Sequence, residues 1–199
     1  MRNIVVFLVA FWFLVPSCAA QENDFSLWLR RTNKENFLIP WYTHDGQKAF
    51  FDARYNFDMP KSAGVFVGKN LKTGRFSFIP EAGVIFGKYN AVSPELLVII
   101  NTKRFLLFSQ NQYSFGVAGN TDFAYHWIDF VVNVNKWLAL GADEQVFKEF
   151  ILGSQTQVDV GPAAKITVKK MYFRLWPAWS VGPANVGRRT LFAGIGYVF

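Results

Sequence analysis

Cysteine is all but missing from this chain, with Cys18 the only one among 199 residues. A lone cysteine near the start excludes a disulfide scaffold, so an exported form must hold together through its sheet. Histidine is nearly as scarce, at His44 and His126 only. Two separated histidines and one cysteine supply no ligand cluster, so no metal and no cofactor is expected. Hydrolytic chemistry is poorly furnished too. A nucleophile needs a base and an orienting acid within hydrogen-bond reach, yet no Gly-x-Ser-x-Gly elbow occurs, and Ser109 and Ser114 carry no such context. His44 stands beside Asp45-Gly46 in a turn, as a solvated loop residue would. His126 lies in Tyr125-His126-Trp127-Ile128-Asp129, where a strand that turns His126 inward sends Asp129 the other way. No catalytic residues are nominated.

Long apolar runs are lacking as well. Ile4 to Val15 is the one sustained stretch, and it is shorter than the roughly 18 residues a membrane-spanning helix needs. Preceded by Met1-Arg2-Asn3 and followed by Pro16-Ser17-Cys18-Ala19-Ala20, it has the layout of a secretory signal peptide over residues 1–20, with cleavage after Ala20. A lipobox at Val15-Pro16-Ser17-Cys18, with Cys18 lipidated, is the competing use of the same residues. Repeats, low complexity and linker-like stretches are absent, so residues 21–199 read as one domain. Charge is only mildly one-sided: 21 Lys and Arg, Arg2 of the leader among them, face 14 Asp and Glu. That excess suits anionic lipid or solute and is too weak to argue for nucleic acid.

What the chain does have is grease without helices. Hydrophobic residues make up 51% and aromatics 18%, with 22 Phe. In a bilayer only helices and closed barrels satisfy every peptide group, so a lipid-embedded chain without long apolar runs must close a barrel. The period-two pattern agrees. In Lys48 to Asp58, the set Ala49, Phe51, Ala53, Tyr55 and Phe57 takes one face, while Phe50, Asp52, Arg54, Asn56 and Asp58 take the other. This is the apolar-out, polar-in dyad of a membrane barrel. Arg75 to Lys88, Val158 to Lys169 and Met171 to Trp179 repeat it. Seven further segments are strand-like: Phe25–Arg31, Asn36–Thr43, Ala63–Lys69, Glu95–Lys103, Arg104–Phe115, Asp122–Asn133 and Trp137–Gln145. With the last segment they make twelve strands of an all-β, closed antiparallel transmembrane barrel; ten is the next count and eight the least favoured.

That last segment, Leu191 to Phe199, puts Leu191, Ala193, Ile195, Tyr197 and Phe199 on one face and stops on an aromatic ring. Its pattern of Phe192, Gly194, Tyr197 and Phe199 resembles the C-terminal membrane-insertion signal of bacterial outer-membrane β-barrels. From leader to terminal Phe the chain resembles a small Gram-negative outer-membrane β-barrel protein. The resemblance implies an outer-membrane location, both mature termini in the periplasm, outer-membrane lipids as surroundings, and barrel-assembly machinery engaging the C-terminal strand. No motif singles out a porin, an adhesin or an enzyme, so it brings no activity with it.

By parity, the lumen collects a mixed-charge network of Arg30, Asp52, Arg54, Asn56, Asp58, Glu81, Lys165, Lys169 and Arg174, with Trp28, Tyr172 and Trp176 beside it. Two uses stay open. The network is a salt-bridged plug, or it lines a path for small polar or anionic solutes, and interleaved acids blunt any selectivity. The alternatives from other classes are an outer-membrane lipid-modifying enzyme and, with the faces swapped, a soluble lipocalin-like carrier of apolar ligands.

Overall fold

The computed structural model describes residues 22–33, 35–46, 49–57, 59–183 and 186–199. The segment read as a signal peptide and Asp58, read as a lumen position, lie outside the described residues. Thirteen strands follow one another: β1 (Glu22–Thr32), β2 (Asn36–Asp45), β3 (Phe50–Tyr55), β4 (Ser62–Gly68), β5 (Leu71–Thr73), β6 (Phe76–Gly87), β7 (Ala91–Asn101), β8 (Phe105–Gly116), β9 (Phe123–Asn133), β10 (Leu138–Glu149), β11 (Gln157–Val168), β12 (Met171–Ser180) and β13 (Arg189–Val198). Neighbours in sequence pair antiparallel except β4 and β5, and the β1–β13 and β4–β6 pairings close the sheet on itself.

The barrel has twelve staves, because β5 continues β4. Both pair with β6 in a single register, Gly68 opposite Glu81 before the break and Leu71 opposite Phe78 after it. The break falls at Lys69, whose amide donates to the carbonyl of Pro80 at 3.4 Å. Proline has no N–H to return, so this pair keeps one hydrogen bond instead of two and the ladder lapses.

The two faces of the wall are inverted relative to a soluble barrel. Along β6, Phe76, Phe78, Val84 and Phe86 point outward at 44–50% exposure, while Ser77, Ile79 and Glu81 are buried inside. On β12, Met171, Phe173, Leu175 and Trp179 are outside, and Arg174 and Trp176 inside. The interior therefore carries Asp52, Arg54, Glu95, Gln112, Asp129, Asp143 and Arg174 at 7% exposure or less. Water would favour the opposite arrangement, and hydrocarbon favours this one. The swapped-face carrier does not fit this wall.

The rim that holds Glu22 and Phe199 has tight connections, such as Gly74-Arg75 and Lys169-Lys170, while the other rim carries longer ones, such as 117–122 and 150–156. The last ladder pair joins the ends of the described chain: the Asn23 amide donates to the Phe199 carbonyl at 3.0 Å and the Phe199 amide to the Asn23 carbonyl at 2.9 Å.

Two lumen positions read from parity fall in turns instead. Asn56 has φ 58, accepts the Lys61 amide at 2.6 Å and donates to the Leu38 carbonyl at 3.0 Å. Asparagine tolerates this left-handed conformation and here ends the strand. Alternation stops at Tyr55, and Phe57, read as lipid-facing, turns into the barrel. Lys169, at φ 56, occupies the two-residue turn between β11 and β12 and is exposed at the rim.

Candidate functional site

The middle of the lumen is crossed by tryptophans. Trp41 on β2 and Trp127 on β9 come from staves six apart in a ring of twelve, that is, from opposite walls, yet their rings are 5.9 Å apart. Trp28 on β1 meets Trp127 edge-on at 6.2 Å, and Phe108 on β8 packs on Trp127 at 5.2 Å and on Trp41 at 6.5 Å. Phe57, brought inward by the Asn56 turn, fills the remaining angle at 5.0 Å from Trp41 and 6.0 Å from Trp127. The three indoles are 5–9% exposed. Such offset and edge-to-face pairs are each worth about 0.5–1.5 kcal/mol beyond burial. Glycine makes the septum possible on one wall, since a Cβ at Gly194 would lie 2.7 Å from the Trp28 ring. Trp28 donates its indole N–H to Ser26 at 3.0 Å, whereas the buried indole nitrogens of Trp41 and Trp127 make no hydrogen bond.

On the terminus side of the septum lies a vestibule of about 300 Å³, with Trp28, Trp41, Trp127 and Phe108 in its lining. Its charged wall is built by β9 to β12. Arg174 pairs with Asp129 and, at 2.9 Å, with Asp143. Lys165, in register with Arg174, holds its ammonium 4.7 Å from the Tyr172 ring centroid, and the Tyr172 hydroxyl donates to Asp24 at 3.0 Å. Two bases side by side would repel, and the surrounding acids offset that.

A second group sits in the wall of β3 to β8. The Arg54 guanidinium engages both oxygens of Glu95 at 2.5 and 3.2 Å, Asp52 at 3.2 Å and Gln112 at 3.0 Å. Its carbon lies 4.1 Å from the Phe66 ring centroid and 4.8 Å from that of Phe57, so charge and aromatic septum are one packed unit. Glu81 stands beside Glu95 in register. A third group lies toward the longer-loop rim. Asp159 accepts the Ser180 hydroxyl, with Arg188 at 3.8 Å and Arg30 at 4.0 Å, and Arg30 covers Phe192, itself stacked on Trp176 at 4.3 Å.

Of the residues named from sequence, Arg30, Asp52, Arg54, Glu81, Lys165 and Arg174 face inward but fall into these three separate groups, while Asn56 and Lys169 do not join them. Glu95, Gln112, Asp129 and Asp143 were missed, although each is central. Gln110-x-Gln112-x-Ser114 does carry a period-two polar signal. Asp129 and Asp143 pair across β9 and β10, which no single strand could reveal. Trp41 and Trp127, which parity does not place inward beside Trp28 and Trp176, prove to be luminal. His44 and His126 face outward, bonded to Asn23 at 2.7 Å and Asn111 at 2.8 Å. In the terminal pattern, Phe192 and Gly194 point inward, whereas Tyr197 and Phe199 stack outside at 5.9 Å.

No protein-family model matches the chain, and no curated protein matches it in sequence. Solved structures match in fold. The NanC porin superposes with a TM-score of 0.66 at 9% identity, over 88% of this chain and 98% of that one. The KdgM porin, in complex with disordered oligogalacturonate, gives 0.63 at 11% identity over 88% and 99%. An outer-membrane channel from Pseudomonas putida F1 gives 0.59 at 6% identity over 93% and 97%. The chain thus has the fold of Gram-negative outer-membrane porins and channels.

Proposed function

We propose that the protein is an outer-membrane channel for small polar solutes, held shut by the tryptophan septum until a solute or a wall motion parts it. The observation that carries this reading is the Trp41–Trp127 contact across the lumen, with a charged, aromatic-lined vestibule leading to it. The unbonded indole nitrogens of Trp41 and Trp127 are donors that a solute oxygen could accept. Fold likeness and the greasy outer wall support an outer-membrane location among its lipids. The short-turn rim then faces the periplasm with both termini. β13, with Phe192, Gly194, Tyr197 and Phe199, is the segment offered to barrel-assembly machinery.

The vestibule favours uncharged or zwitterionic cargo over anions. An acidic sugar chain such as the one found with KdgM would meet Lys165 and Arg174, but Arg174 is already paired with Asp129 and Asp143. Swelling of proteoliposomes separates the two cargoes. Uncharged sugars are expected to enter at least as fast as singly charged sugar acids of the same size, and a clear preference for the acids would overturn this assignment.

A further inference from the structure

We propose that Asp52, Glu81 and Glu95 form a calcium site within the barrel, a role separate from solute passage. One carboxylate oxygen from each residue lies within 4.8 Å of the other two. Three carboxylate oxygens gathered this closely and away from solvent can share one hard cation. Magnesium dehydrates reluctantly and keeps several waters, whereas calcium accepts a cage of protein oxygens, so a buried cluster of this kind suits calcium.

Glu81 points to a ligand independently of that spacing. It is 6% exposed, it reaches into the cluster, and neither of its oxygens has a hydrogen-bond partner. A buried carboxylate in that state loses its hydration with no hydrogen bond in return. Register sets it directly opposite Glu95 on the same face, where like charges repel. Its placement is built in, since a Cβ on Gly68 would lie 2.6 Å from the Glu81 Cγ.

The neighbouring guanidinium does not satisfy Glu81. Arg54 has its fork on Glu95 and Asp52 and its face on Phe66. Three carboxylates against one guanidinium leave two negative charges over, which is the charge of one divalent ion. A neutral oxygen stands on the adjoining wall: Gln110 is fully buried, its amide nitrogen donates at 3.4 Å to Gln112, which itself accepts from Arg54, and its own Oε1 has no partner. Carboxylates completed by an amide oxygen are the donor set of a hard cation.

The test is equilibrium dialysis of the full-length barrel against radioactive calcium, after folding in detergent with calcium present. Wild type is expected to retain one ion per chain with a dissociation constant on the order of 10⁻⁴ to 10⁻³ M, and magnesium should compete poorly. Glu81→Gln should weaken binding by at least the ~10-fold that loss of even an outer-shell partner brings. Glu35→Gln, on an exposed loop, should bind as wild type does. Glu81→Asp keeps the charge but shortens its reach, and serves if Glu81→Gln does not fold; it too should bind severalfold more weakly. No stoichiometric ion in wild type, or wild-type affinity in either Glu81 variant, overturns the proposal.

Discussion

Trp41 and Trp127 are in contact across the barrel, 5.9 Å between ring centroids, although their staves lie on opposite walls. Two indoles and their companions Trp28, Phe57 and Phe108 thus do what a folded-in loop does in wider barrels. The pieces come from five separate stretches of chain. Each is held by its own wall: Trp28 lies over Gly194, Phe57 follows from the Asn56 turn, and Trp41 borders the buried Arg54.

Gly194→Ala tests the first of those supports. The added methyl meets the Trp28 ring at 2.7 Å, and overpacking of this kind costs about 1–3 kcal/mol. The near-ultraviolet circular dichroism of the folded barrel should change with the fall in stability. An unaltered aromatic signal would mean that Trp28 does not rest on Gly194.

Arg54→Ala should be among the most damaging single changes. It leaves Glu95 and Asp52 buried with their shared cation removed, a loss of about 3–5 kcal/mol. Unfolding of the detergent-solubilised protein by guanidinium measures it. A change below about 1 kcal/mol would be the value for a solvent-exposed pair, and would show that water reaches this group.

The faces of the wall can be tested by placing an arginine on each. Ala53→Arg points into hydrocarbon, at about 2–4 kcal/mol near the midplane. Thr43→Arg points inward between Asp24 and Asp52, its register partners, where a cation is welcome. Refolding yield into lipid vesicles should collapse for the first variant and hold for the second. The reverse order would swap the faces.

That test succeeds or fails on information already in the sequence. Alternation in Arg75 to Lys88 and in Met171 to Trp179 assigns faces because each side chain is fixed by its own strand. The twelve-stave count is legible for the same reason, helped by turn residues such as Gly74. What is not legible is anything set between strands. The partnership of Arg54 with Glu95 and Gln112 depends on which staves curve toward each other, and the meeting of Trp41 with Trp127 depends on barrel closure. Asn56 shows the local limit: one residue in a left-handed turn reverses the face of Phe57.

Closure of the barrel ends on the reciprocal hydrogen bonds of Asn23 and Phe199. Deleting Phe199 removes that pair and the outer stack on Tyr197, whereas deleting Leu152 removes a fully exposed loop residue. Heat-modifiable gel mobility should be lost or slowed in the first variant and kept in the second. Equal assembly of both would remove any role for the terminal residue.

Single-channel conductance in a planar bilayer, recorded for wild type and for Trp127→Ala, tests the septum most directly. Truncating Trp127 removes its contacts with Trp28, Trp41, Phe57 and Phe108 at once. Wild type should show little or no steady current, and Trp127→Ala a conductance several times larger. A large, steady wild-type current that the substitution leaves unchanged would contradict a lumen closed by tryptophan.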